Sequence, residues 1–195
     1  MPDARTLLLT AALLLPTPAL AQGSHGMGHG AMPMNQMPAM DLGGMKKLQG
    51  KAFDRAFLSA MIPHHEAALD MARAVLPVSR DATVKAWANA VIKDQNREIN
   101  LMGTWLRALG GTDAVMAKQM AGSMQGMAGM VKSSKTPDIA FVKGMVPHHA
   151  SAVEMANLAL QQSRDTNVLK LARDIVKAQA QEMHDYRLWL IKRGQ

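Results

Sequence analysis

The chain has 195 residues, 18 of them Met, 7 His and none Cys, with a formal net charge of +7. Without Cys it has no disulfide, no thiolate metal ligand and no Cys-x-x-Cys-His haem attachment. The positive residues are scattered at helix-surface spacing behind an export-like start, so the charge reads as solubility with a weak attraction to anionic envelope surfaces, not as nucleic-acid binding.

Residues 1–21 read as a signal peptide. Arg5 is the one positive charge at the start, Thr6 to Leu15 is almost wholly apolar, and Ala19-Leu20-Ala21 supplies a small-x-small cleavage pattern. The apolar run covers about ten residues, whereas a membrane span needs ~20. The expectation is an exported chain cleaved near Ala21, resident in the periplasm or cell envelope, with no transmembrane segment after cleavage.

Residues 22–50 are expected to be a disordered Met/His-rich tail. Gly, Pro, Met and His dominate from Gln22 to Met45 with no helical or strand period, and such a segment buries too little surface to offset the entropy of ordering it. His25, Met27, His29, Met32, Met34, Met37 and Met40 have no packing role there, which makes them candidate metal ligands.

An internal repeat follows. Adding 84 to any position from Asp54 to Gly110 gives its counterpart between Asp138 and Gly194 without a gap, and more than a third of the pairs are identical. The identities include Phe57/Phe141, Met61/Met145, Pro63/Pro147, His64/His148, His65/His149, Met71/Met155, Gln95/Gln179 and Glu98/Glu182. Such a match defines a duplicated unit, here residues 51–110 and 136–195. In each unit mostly apolar residues recur at spacings of three and four in two successive stretches, as in Phe53, Phe57, Met61, His64, Ala68, Met71 and Val75, then Val84, Ala88, Val91, Gln95, Glu98, Met102, Trp105 and Leu109. Ser79-Arg80-Asp81 supplies cap chemistry between them, Gly110 and Gly194 mark helix ends, and Thr136-Pro137 reads as a cap followed by a first-position proline. No stretch alternates with period two. Two helical hairpins, each with an apolar stripe, predict an all-α four-helix bundle.

The linker, residues 111–135, is Met-rich. Met116, Met120, Met124, Met127 and Met130 would share one helix face, but Gly111, Gly122, Gly126 and Gly129 weaken that helix. Partial or inducible order is expected.

Chemistry concentrates on the His-His pairs. Pro63 and Pro147 fall inside helices, where each removes a hydrogen bond and frees the carbonyl four residues back, Ser59 or Lys143. Consecutive His side chains point about 100° apart, and Met61 and Met71, like Met145 and Met155, lie on or beside the same stripe. Counting residues from the hairpin turn sets His64 level with Asp94 or Gln95 and Met61 level with Glu98; Gln179 and Glu182 stand at the same levels in the second unit. Imidazole and thioether are donors suited to copper(I) or silver(I), with Gln95, Glu98, Gln179 and Glu182 orienting the rings from outside. The same groups could instead form a hydrogen-bond network that locks the bundle.

The stretch Met-Ile-Pro-His-His-Glu-Ala-Ala-Leu-Asp-Met-Ala from Met61 to Ala72, its copy from Met145 to Ala156, and the later Gln95, Glu98, Ile99, Met102, Trp105 and Leu106 resemble the signature of domain-of-unknown-function family 305. The resemblance covers both repeats and not the tail. It implies a ferritin-like four-helix fold, and a role like that of the periplasmic copper-binding members linked to copper and silver tolerance. Pro63, Pro147 and Ala150 depart from the commonest motif. A di-iron carboxylate enzyme would need Glu-x-x-His on two helices, and no Glu here has His three residues on. No catalytic residues are assigned. The expected partners are metal ions and, if the cargo is handed on, another envelope copper protein.

Overall fold

The computed structural model describes residues 42–195. The signal-like start and the tail candidates His25, Met27, His29, Met32, Met34, Met37 and Met40 lie outside the described residues. Seven helices follow one another among the described residues: α1 (Gly43–Lys46), α2 (Gly50–Val75), α3 (Ala82–Ala108), α4 (Ala114–Ser123), α5 (Met127–Ser133), α6 (Pro137–Gln162) and α7 (Thr166–Ile191). The fold is all-α.

The four long helices form two antiparallel hairpins, α2–α3 and α6–α7, joined by packing of α2 on α6. Each hairpin turn ends in the same cap: Asp81 accepts from the amides of Thr83 and Val84, and Asp165 accepts from those of Asn167 and Val168. Both units also stop alike. Gly110 and Gly194 adopt φ of +90° and +69°, and the following amides reach back to Leu106 and Leu190 at 2.8 and 3.1 Å. Thr136 behaves otherwise than expected. It precedes Pro137, but its side chain makes no capping bond; instead its own amide donates to Ser134 Oγ at 3.0 Å.

The two hairpins meet reciprocally. The Arg80 amide donates to Asp138 Oδ2 at 3.4 Å, and Asp54, the counterpart of Asp138, accepts from the Ser163 side chain in the counterpart turn. Equivalent aspartates thus meet equivalent turns, through Arg80 in one and Ser163, the counterpart of Ser79, in the other, an approximate two-fold relation between the repeats. The far side of the bundle closes where Trp87 on α3 meets Tyr186 edge-on at 4.9 Å and Trp189 at 6.4 Å on α7. Asp81 Oδ2 binds both the Trp189 indole N–H and the Arg193 guanidinium, at 3.1 and 2.6 Å. Burial opposes the charge on Asp81, but the Val84 and Thr83 amides, Trp189 and Arg193 outweigh it and hold the carboxyl below its ordinary value.

The region between the hairpins is helical, where partial order was expected. α4 lies on α2, and α5 lies on both α2 and α6. Three tethers fix the start of this strap: Arg55 donates to the Gly111 and Thr112 carbonyls at 2.7 and 2.9 Å, and the Asp113 amide donates to Ser59 Oγ at 2.8 Å. Residues 42–49, expected within the disordered tail, also pack: Leu42 and Met45 are buried in the main core. In these segments tertiary burial overrides poor helix propensity.

Candidate metal centre

His64 and His65 on α2, and His148 and His149 on α6, are all fully buried. Because neighbours on a helix diverge, each pair splits its directions. His65 reaches α3, with Nε2 at 2.8 Å from Glu98 Oε2, and Arg97 stands 3.9 Å from the other Glu98 oxygen. His149 Nε2 lies 2.7 Å from Glu182 Oε2 on α7, without the alignment of a hydrogen bond. His64 and His148 turn toward each other, their ring centroids 3.9 Å apart. Since the centroids within each pair are 6.2 and 5.8 Å apart, the four imidazoles form a row across the bundle, in the order His65, His64, His148, His149, with a carboxylate at each end.

The partners fix the tautomers of the inner two rings. His148 Nε2 is 2.9 Å from the His64 carbonyl, which can only accept, so Nε2 carries the proton. Ser151 donates its hydroxyl proton to the His148 carbonyl at 2.7 Å. Its oxygen, 2.8 Å from His64 Nε2, must therefore accept from His64, which is also protonated at Nε2. Burial, then the neighbouring His148, His65 and His149, holds the His64 pKa well below 6.5. Burial, then His149 and His65, does the same for His148 against the partial support of the His64 carbonyl. Both rings are neutral at pH 7, and each presents a bare lone pair at Nδ1. The Nδ1 atoms of all four histidines are buried without a hydrogen-bond partner.

His64, His65 and His148 carry the signature of metal-ligating histidines, one ring nitrogen held by a carboxylate, carbonyl or hydroxyl and the other free to bind. Met61, Met71, Met145 and Met155 lie on the same two helices, fully buried. Gln95 and Gln179 are buried, but their Oε1 atoms have no partner. Among the described residues no three His, Cys, Asp or Glu side chains are grouped to hold an ion. Free imidazole nitrogens, with buried thioethers on the same helices, are donors that suit a soft ion.

Glu98, expected opposite Met61, pairs instead with His65, about one turn away. Two residues that sequence reasoning missed shape the site. Ser151 stands where the first repeat has Ala67, and Tyr186 where it has Met102. The Tyr186 ring centroid is 5.6 Å from that of His149, and its hydroxyl is buried without a partner. Burial, with the charges of Glu182 and Asp185, pushes the phenol well above its ordinary range. Both positions were visible as breaks in the repeat.

Residues 8–106 and 138–195 match the family described as Domain of unknown function (DUF305). The chain belongs to this family. Among DUF305-like structures, CopM in its Cu(II)-bound form is 31% identical, with 70% of this chain and 94% of that chain covered and a TM-score of 0.63. CopM in an Ag-bound form obtained by soaking is 28% identical over 71% of this chain and 95% of that one, with a TM-score of 0.60. A DUF305 fragment from Deinococcus radiodurans is 25% identical over 71% and 95%, with a TM-score of 0.61. No curated protein matches the chain. No described helix is long and apolar enough to cross a membrane.

Proposed function

We propose that this DUF305 protein is an exported binder of copper(I) or silver(I), sequestering the ion or passing it to another envelope copper protein, and is not an enzyme. The observation that carries this reading is the set of four buried Nδ1 atoms without partners. A hydrogen-bond network built only to lock the bundle would have used both nitrogens of each ring, because an unsatisfied buried polar atom costs ~1–3 kcal/mol. His64, His65, His148 and His149 would supply nitrogen, and Met61, Met71, Met145 and Met155 sulfur. Glu98, Glu182 and the Gln95 and Gln179 amides would orient the rings from outside. His64 and His148 are already neutral, so an ion binding at neutral pH has no proton to displace from them. His25, Met27, His29, Met32, Met34, Met37 and Met40 would capture ions from solution on a tail following a signal peptide cleaved near Ala21. Likeness to CopM, whose solved structures include Cu(I)-bound, Cu(II)-bound and Ag-bound forms, supports the choice of ion.

The test is a Cu(I) titration of the full chain against a competing chelator, run beside the His64→Ala/His65→Ala variant. The expected result is ion binding tighter than about micromolar that falls in the variant, with a loss of stability in metal-free protein. A stability loss with no change in bound ion would favour the purely structural network and overturn the reading.

A further inference from the structure

Ion binding at the imidazoles leaves the strap unexplained. From Ala114 to Ser133 the inward-facing apolar side chains larger than alanine are Met116, Met120, Met124, Met127, Met130 and Val131. Met120, Met124 and Met127 are buried in the core, and Met116 and Met130 pack against it while keeping some exposure. Met45 on α1 belongs to the same core, and the Met116 methyl lies so close to Gly44 that a Cβ there would sit 3.3 Å from it. The inward pattern survives the break between α4 and α5, where Gly126 adopts φ of +84°.

Packing alone explains this choice poorly. Methionine fills irregular gaps but specifies a shape weakly, and a strap weakened by Gly122, Gly126 and Gly129 is where leucine would help most. The same stretch contains no Asp, Glu or His. Its large inward donors are therefore neutral thioethers, with no carboxylate to bind a hard ion or balance a second charge; Ser123 Oγ, beside them, donates to the Met120 carbonyl at 2.8 Å and lies 3.6 Å from the Met120 sulfur. Such a set favours a soft monovalent cation and contributes little to zinc.

We infer that the underside of the strap is a second, all-thioether site for copper(I) or silver(I), formed by Met120, Met124 and Met127 with Met116 and Met130 at its two more open ends. The glycine-weakened helices let the ion enter by local opening, since such segments open at a fraction of the global unfolding free energy. The site shares no residue with the imidazole row.

The test uses the full chain carrying 13C-labelled methionine methyl groups, titrated with silver nitrate; Ag(I) is diamagnetic, so each ε-methyl reports its own sulfur. Single Met→Leu variants assign the signals. The methyls of Met120, Met124 and Met127 should shift with silver and stay put with zinc. The Met120→Leu/Met124→Leu/Met127→Leu variant should keep its helical circular dichroism and bind less silver. If those three methyls stay unmoved after the other methionines have saturated, the strap is packing alone and the inference is wrong. Failure of the imidazole reading would show separately, as unmoved methyls of Met61, Met71, Met145 and Met155. Should the triple variant fail to fold, the wild-type methyl shifts still decide the matter.

Discussion

The first hairpin and the second carry the same His-His pair, the same glutamate facing its outer ring and the same proline within the helix, yet they surround them differently. In the first, Arg55 and Ser59 tether the strap; their counterparts Ile139 and Lys143 lie on the hairpin that carries no such tether. In the second, Ser151 bridges His64 to the His148 carbonyl, while Ala67, its counterpart, leaves His148 to bond the His64 carbonyl directly. Met102 fills the core of the first, and Tyr186 puts a partnerless hydroxyl into the second. The duplicated positions hold the imidazoles; the divergent ones decide how each half is closed. Identical histidines can thus sit in inequivalent environments, one built for rigidity and one carrying unsatisfied groups.

Breaking the outer pairs should expose that inequality most strongly. The Glu98 side chain is 11% exposed and that of Glu182 29%. Removing the histidine therefore strands a drier carboxylate in the first hairpin. Urea unfolding of metal-free protein should show His65→Ala losing about 2–3 kcal/mol and His149→Ala about 1 kcal/mol. Equal losses would mean that the missing alignment at His149 has no energetic meaning.

The inner pair should behave alike. The folded values of His64 and His148 lie well below 6.5, so below that pH the unfolded chain takes up protons that the folded one refuses. Stability is full above pH 6.5 and declines as the pH falls from there toward the folded values, by up to about 1.4 kcal/mol per pH unit for each ring. Replacing either one with Gln should remove about half of that slope. A flat profile between pH 7 and pH 5 would refute the neutral assignment.

A smaller effect is expected at Tyr186. Removing a buried hydroxyl that has no partner should leave the ring packing intact, so Tyr186→Phe should raise stability by about 1 kcal/mol in thermal unfolding. A loss instead would reveal a bond to that hydroxyl and bring the second hairpin closer to the first.

Much of this architecture was legible in the sequence, for identifiable reasons. A gapless repeat with three-and-four periodicity predicts paired helices. Asp81 and Asp165 caps and the Gly110 and Gly194 stops are local chemistry that needs no tertiary partner. Antiparallel geometry brought Glu98 to within about one turn of its partner. Its pairing with His65 rather than Met61 was not legible, because counting from a hairpin turn fixes height only to about a turn and does not fix azimuth. The meeting of His64 with His148 depends on how α2 crosses α6, which no single-helix pattern encodes. The strap was underestimated because glycine content lowers intrinsic helix propensity, whereas Met120, Met124 and Met127 gain their order from burial against α2 and α6. Ser151 and Tyr186 could have been singled out by asking where the two copies disagree.

The reciprocal contacts between the hairpins have one more consequence. Asp54 against the second turn, Asp138 against the first, and His64 against His148 make up an interface in which each surface meets its own equivalent. Two unlinked copies of one hairpin could associate in this way as a homodimer, but they would come apart on dilution and every change would appear twice. Joining them in one chain makes the association independent of concentration. It also lets a serine or a tyrosine be introduced on one side only, so the covalent link is what permits the two halves of the imidazole row to differ.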